Sequence, residues 1–319
     1  SSRVLIRLYV VEFNNIEPDQ NSATEGVVWF SNGDTITSAT ISNNTFNNCV
    51  TAWPDMGGGA KSGSIIIDGQ AAGGTAAISG VTISGNTLND CYQYGITFGG
   101  NSSNSATGSI TNNTITNGYS PIDICDYISS TGLSIIGNTI TGAYSYGIKI
   151  EGSNNSSVTV KKNTITGCAG SYAIRSEEDT AGNVTIQYNS IYDNASGCYA
   201  IRIDNATHDC KYNWYGDATG PYYSALTGAT ITKSNPNGLG GKIYDKVTYY
   251  PWLYKSLTDV VADNVSYQTS TMKLVSGWNT LSTPVKLINA ANSVDELSLI
   301  HISEPTRPLY ISYAVFCLK

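Results

Sequence analysis

One asparagine recurs along this chain at a nearly constant interval, and that interval limits the folds open to it. It sits three residues after an Ile or Val and two before another apolar residue. The pairs are Ile41 and Phe46 around Asn44, Ile83 and Leu88 around Asn86, Ile110 and Ile115 around Asn113, and Ile135 and Ile140 around Asn138. Val160 and Ile165 flank Asn163, and Ile186 and Ile191 flank Asn189; looser copies surround Asn14 and Asn213. From Asn86 onward the intervals are 27, 25, 25, 26 and 24 residues. Asn44 and Asn86 lie 42 apart, which predicts an insertion in the Gly-rich stretch Met56–Gly74.

A second apolar triplet follows each Asn: Ile96-Thr-Phe98, Ile122-Asp-Ile124, Ile148-Lys-Ile150, Ile174-Arg-Ser176 and Ile201-Arg-Ile203. Both sets alternate apolar and polar, the period of a strand with one buried face. Gly, Asn and Ser clusters between them supply turns. Strands this short cannot bury their inner faces alone. Stacked coil upon coil at about 4.8 Å, three to a coil, they make three parallel sheets around one apolar shaft, about eight coils in all. The recurring Asn suits a sharp bend with left-handed backbone, and its amide can bond the same residue on the next coil to form a ladder.

Charge excludes other classes. Lys and Arg number 17 against 24 Asp and Glu, a net charge of −7, which removes nucleic acid as a partner recognised through a basic face. Charged residues are 13% of the chain, too few for long amphipathic helices. No apolar run is long enough for a helical membrane span.

The repeat from about Val4 to Leu253 resembles the right-handed parallel β-helix, or pectin-lyase-like, superfamily. Tyr212-Asn-Trp-Tyr-Gly-Asp-Ala-Thr-Gly-Pro221, Asn235-Pro-Asn-Gly238 and Tyr250-Pro-Trp-Leu253 resemble the closing coil of β-helix proteins on microbial surfaces. The aromatics of that segment would cap the open shaft. The resemblance implies an all-β solenoid over 1–253 in an extracellular or cell-surface setting. Met272–Pro284 resembles the start of a β-sandwich repeat, so 254–296 is expected to be a linker and a truncated β tail. Leu297–Arg307 and Ile311–Lys319 resemble the in-frame translation of the two ends of a sequencing adapter, separated by the length of a sample index. On that reading 297–319 is non-native, and His208 is the one remaining histidine.

Chemistry-bearing residues gather in files. The middle residues of the second triplets, Thr97, Asp123, Lys149, Arg175 and Arg202, should point to solvent, and so should Gly99, Cys125, Glu151, Glu177 and Asp204 two positions on. Two adjacent charged files in a chain poor in charge are the leading site candidate. They read either as a cross-strand salt-bridge ladder or as a groove. In the lyases of this superfamily such a face holds Ca²⁺ on carboxylates and uses Arg or Lys to remove a proton. The resemblance would then make Arg175, Arg202 or Lys149 the base, with Asp123, Glu151, Glu177 and Asp204 holding substrate. Tyr94, Tyr146, Tyr172 and Tyr199 precede the triplets by two, with Tyr119 displaced by one, and a tyrosine file can hold sugar rings or simply pack a turn.

Cys49, Cys91 and Cys168 each follow the repeat Asn by five, a column of small buried thiols in which Cys49 and Cys91 could also be bridged. His208 is expected in a turn, and no His-based metal site or triad can be built on it alone. The expected function is a secreted or cell-surface structural, adhesin-like module that contacts polysaccharide or surface glycans without catalysis. It needs no cofactor. The alternative is a polysaccharide lyase or glycoside hydrolase acting on acidic polysaccharide, and only that alternative requires Ca²⁺.

Overall fold

The computed structural model describes residues 5–9, 12–14, 25–31, 38–49, 62–68, 79–91, 93–99, 106–124, 128–151, 157–224 and 233–257. Their strands form three sheets in which each strand pairs in parallel with its counterpart one coil away, the arrangement expected from the repeat. Among the described residues the first sheet has nine strands, from Leu5–Tyr9 through Val81–Ser84, Val158–Lys161 and Val184–Gln187 to Val247–Thr248. The second has seven, from Glu12–Asn14 to Ser190–Tyr192. The third has nine, from Glu25–Ser31 through Tyr94–Gly99, Ser120–Ile124, Tyr146–Ile150, Tyr172–Ser176 and Tyr199–Ile203 to the closing strands Gly240–Ile243 and Pro221–Tyr222. Four coils are described without a break from first strand to third, within 106–124, 128–151 and 157–203, fewer than the eight expected. The strand Ser62–Asp68 falls inside the stretch expected to be an insertion. It is a regular member of the third sheet, paired with Glu25–Ser31 and Tyr94–Gly99.

Alternation does what the pattern requires. Ile41, Ile83, Ile110, Ile135, Val160 and Ile186 line the first sheet's inner face with 0% exposure, and Phe46, Leu88, Ile115, Ile140, Ile165 and Ile191 do the same in the second. Each such side chain contributes about 1.5–3 kcal/mol on burial. Side chains of unequal size interlock across the shaft. A Cβ on Gly108 would lie 2.9 Å from the Phe98 Cζ, so the ring occupies the space a larger residue at 108 would need.

The asparagines form the expected ladder. In each of Asn44, Asn86, Asn113, Asn138, Asn163 and Asn189, the backbone N–H and the side-chain amide both donate to the Oδ1 of the next Asn, ending at Asn213, at 2.8–3.0 Å. The left-handed backbone, however, belongs to the preceding residue: Asn43, Gly85, Asn112, Gly137, Lys162, Tyr188 and Tyr212 have φ of 55–72°. That residue makes the corner while the Asn behind it turns its side chain inward to satisfy the bend's backbone groups. Lys162, Tyr188 and Tyr212 hold this conformation against a cost of about 1–2 kcal/mol each.

At the far end Tyr215, Tyr223 and Tyr249 are buried, and the Tyr249 and Trp252 rings stack at 6.0 Å. His208 departs from its expected turn. It is in the first-sheet strand His208–Asp209, beside Val247, with 1% exposure, because Thr185 pairs with Asp209 and so sets His208 level with the inward Val184. The cysteines Cys49, Cys91, Cys168, Cys198 and Cys210 are buried thiols, and Cys49 and Cys91 are not joined by a disulfide. All described residues lie in one unit, 1–281. The segments 258–296 and 297–319, with their expected β tail and adapter-derived end, fall outside the described residues, as does Cys125.

Candidate functional site: the charge and tyrosine files of the third sheet

Strand register brings the predicted charges into one file. Thr97 pairs with Asp123, Asp123 with Lys149, Lys149 with Arg175 and Arg175 with Arg202. Because each middle residue stands between two inward Ile, Phe or Ser positions, all five project to the outer face. Exposure is not uniform along it. Lys149, Arg175 and Arg202 keep 17–26% of their side-chain surface, whereas Asp123 has 0% and Thr97 has 3%. The solvent-facing positions expected for Thr97, Gly99 and Asp123 are therefore corrected: together with Ile66, which pairs with Thr97, they form a covered stretch of this outer face.

Glu151, Glu177 and Asp204 are each committed to a cation. Lys149 Nζ bonds Glu151 Oε1, and Arg175 Nη1 lies 2.9 Å from Glu177 Oε1. Asp204 joins two coils: Oδ2 accepts Arg175 Nε at 2.7 Å and Oδ1 accepts Arg202 Nε. The carboxylates are spread along the file, one or two cations apiece, rather than converging on one point. Burial by itself would lower the pKa of Arg175 and Arg202. The hydrogen bonds and charge of Asp204, with Glu177 beside Arg175, outweigh it and raise both. Lys149 is raised in the same way, against burial, by Glu151 and by the charges of Asp123 and Glu177. Burial would raise Asp204, but its two Arg partners hold it below the usual carboxylate range. A proton-abstracting base needs its neutral form, and these surroundings favour the cation at all three positions.

The tyrosines run alongside as one continuous file. Ring centroids are 6.2 Å apart for Tyr94 and Tyr119, 5.9 Å for Tyr119 and Tyr146, 5.8 Å for Tyr146 and Tyr172, and 6.0 Å for Tyr172 and Tyr199. The Tyr146–Tyr172 and Tyr172–Tyr199 pairs stack, at 18° and 30°, so these rings spend their faces on one another. The cations fill in between: Arg175 Cζ lies 5.4 Å from the Tyr172 ring centre, and Arg202 Cζ 5.1 Å from Tyr172. Arg202 Nη1 also donates to Tyr172 Oη at 2.7 Å, and Arg175 Nη1 to Tyr146 Oη at 3.4 Å. What the file offers outward is ring edges and hydroxyls more than flat faces.

The repeat did not flag Tyr244, which ends the file 5.8 Å from Tyr199 and 4.5 Å from the Arg202 Cζ. It follows Ile243, which pairs with Ile201, so aligning that Ile with the triplets was the available signal. Among the described residues no group of three or more His, Cys, Asp and Glu side chains could hold a metal ion, and no helix is long and apolar enough to cross a membrane.

No curated protein and no solved structure matches the chain. The family described as the right handed beta helix region matches residues 63–235, more than half of the chain. With that match, three parallel sheets and a buried asparagine ladder, the chain belongs to the right-handed β-helix family.

Proposed function

We propose that this chain is a structural, adhesin-like module of an extracellular or cell-surface setting, which contacts glycans along the third sheet and performs no catalysis. The observation that carries the reading is the ion-paired ladder. Its cations are held by Glu151, Glu177 and Asp204, which suits a rigid recognition surface better than a reactive groove. Tyrosine hydroxyls and guanidinium edges along the axis supply directional hydrogen bonds with little conformational entropy left to lose. Tyr94, Tyr146, Tyr172 and Tyr199 are the contact residues, with Arg175 and Arg202 between them. The surface setting rests on the closing-coil resemblance of Tyr212–Pro221 and Tyr250–Leu253.

The test is to incubate the full chain with immobilised glycans, and separately with pectate, alginate and glycosaminoglycans plus Ca²⁺ while following unsaturated-product absorbance. Retention that weakens in Tyr172→Ala, with no product formed, is expected. Product formation lost in Arg175→Ala or Arg202→Ala would instead establish a polysaccharide lyase.

A further inference from the structure

Whatever the third sheet contacts must accept the charge balance of its outer face. Its two files hold four carboxylates, Asp123, Glu151, Glu177 and Asp204, against three cations, Lys149, Arg175 and Arg202. The closing coil adds Lys242, paired with Tyr199, and Lys246, whose Nζ donates to the Asp204 carbonyl. These two are offset by Asp245 and by Asp179, exposed just beyond Glu177. Among the described residues no cation of this face is in excess. The whole chain carries −7, so nothing at longer range draws in a polyanion either.

Reaching those cations is costly for an anionic group. Arg175 spends Nε on Asp204 at 2.7 Å and Nη1 on Glu177 at 2.9 Å, and Arg202 spends Nε on the other Asp204 oxygen. Asp204 keeps 15% of its side-chain surface. A uronate or sulfate that took its place on either guanidinium would leave that carboxylate largely desolvated and short of a partner, which is the expensive way to break an ion pair. The incoming anion would also stand against Glu151 or Glu177, and like charges so placed repel.

A hydroxyl group meets the opposite situation. Tyr146 Oη and Tyr172 Oη accept from Nη1 of Arg175 and Arg202, at 3.4 and 2.7 Å, which leaves each phenol O–H to donate and polarises it. Glu177 is held through Oε1 and keeps 27% of its side-chain surface, so Oε2 can accept. A sugar hydroxyl both donates and accepts, and it can satisfy a phenol and a carboxylate together, whereas an ionised carboxylate or sulfate only accepts. Resting on the glycan contact proposed above, we infer that the third-sheet face selects uncharged polysaccharide. Its partner is a neutral, hydroxyl-rich chain lying over the uncovered part of the file, from Lys149 to Tyr244, and Glu151, Glu177 and Asp204 turn uronate and sulfated chains away.

The full chain is tested for retention on beads carrying paired polysaccharides that differ in charge: hydroxyethylcellulose and carboxymethylcellulose, dextran and dextran sulfate, methyl-esterified and de-esterified homogalacturonan. The parent should be held by the neutral member of a pair and about tenfold or more weakly by its charged counterpart. Neutral retention should survive about 0.5 M NaCl and weaken in Tyr172→Ala. The double variant Glu151→Gln, Glu177→Gln, which leaves the Asp204 bridge in place and is checked for an unchanged unfolding midpoint, should gain salt-sensitive retention on dextran sulfate. Parent retention on charged members equal to or above that on neutral ones overturns the selectivity and leaves the glycan contact standing. So does a double variant that gains no polyanion binding, because the carboxylates are then not what excludes it. Neutral retention unchanged in Tyr172→Ala removes the site from the third sheet, and silence on every member overturns the glycan contact and this inference together.

Discussion

Replacing Asn138 by alanine tests the asparagine ladder at its middle rung. The Asn138 Oδ1 accepts the backbone N–H and the side-chain amide of Asn113, both at 2.9 Å. Its own amide donates to Asn163 Oδ1 and to the Ile110 carbonyl, again at 2.9 Å. Alanine removes all four bonds, but what remains differs from group to group. Asn163 Oδ1 keeps the backbone N–H of residue 138, and the Asn113 amide keeps the Ile83 carbonyl at 3.0 Å. The Asn113 N–H has no other acceptor among the described residues, and Asn113 is 1% exposed. An orphaned buried donor costs about 1–3 kcal/mol, and bonds lost by groups that keep another partner add about 0.5–1.5 kcal/mol. Asn138→Ala should therefore destabilise the solenoid by about 3 kcal/mol. Urea unfolding followed by circular dichroism measures it, with Thr139→Ala as control: that neighbour faces solvent and should change stability by no more than about 0.5 kcal/mol. A loss for Asn138→Ala below about 1 kcal/mol, or no larger than for Thr139→Ala, would refute the argument that the ladder satisfies the bends.

Three further outcomes follow from the same geometry. Burial lowers the His208 pKa from 6.5 to about 4, so the unfolded chain binds the proton first and stability falls as pH drops through that window; the loss should approach about 3 kcal/mol below pH 4, and His208→Val should flatten urea midpoints between pH 6.5 and 4. Asp204 anchors two guanidinium groups, so Asp204→Asn should cost more stability than Arg175→Ala or Arg202→Ala, each about 1 kcal/mol or less because the pairs remain partly solvated; equal losses in a thermal series would count against the two-coil bridge. Burial pushes the Cys91 and Cys198 thiols up to about 11 and Cys168 to about 12, so an alkylating reagent at neutral pH should leave them unlabelled until urea unfolds the chain, as intact mass would record.

The solenoid was legible in the sequence because every coil obeys the same short-range rules. An apolar residue at every second position sets which face is buried, and an Asn at a period near 25 marks where each coil bends. The pairing of Lys149 with Arg175, and of Arg175 with Arg202, follows from that register alone. The sequence could not say which residue takes the left-handed corner, because Asn suits both the corner and the ladder. The structure assigns the corner to the preceding position, where even Tyr188 and Tyr212 adopt it. Nor could alternation say how deeply an outward residue is covered. Asp123 and Arg175 occupy equivalent positions, yet one is buried and the other is not, because exposure depends on what covers the sheet from outside, which strand alternation does not encode. His208 reads as a turn residue in its own tetrapeptide and becomes a core residue only when Thr185 pairs with Asp209. Local periodicity therefore determined the shaft and its faces. Contacts between coils, made by residues some 25 positions apart, decided which cation each carboxylate holds, which tyrosine faces are spent on their neighbours, and which polar groups are sealed from water.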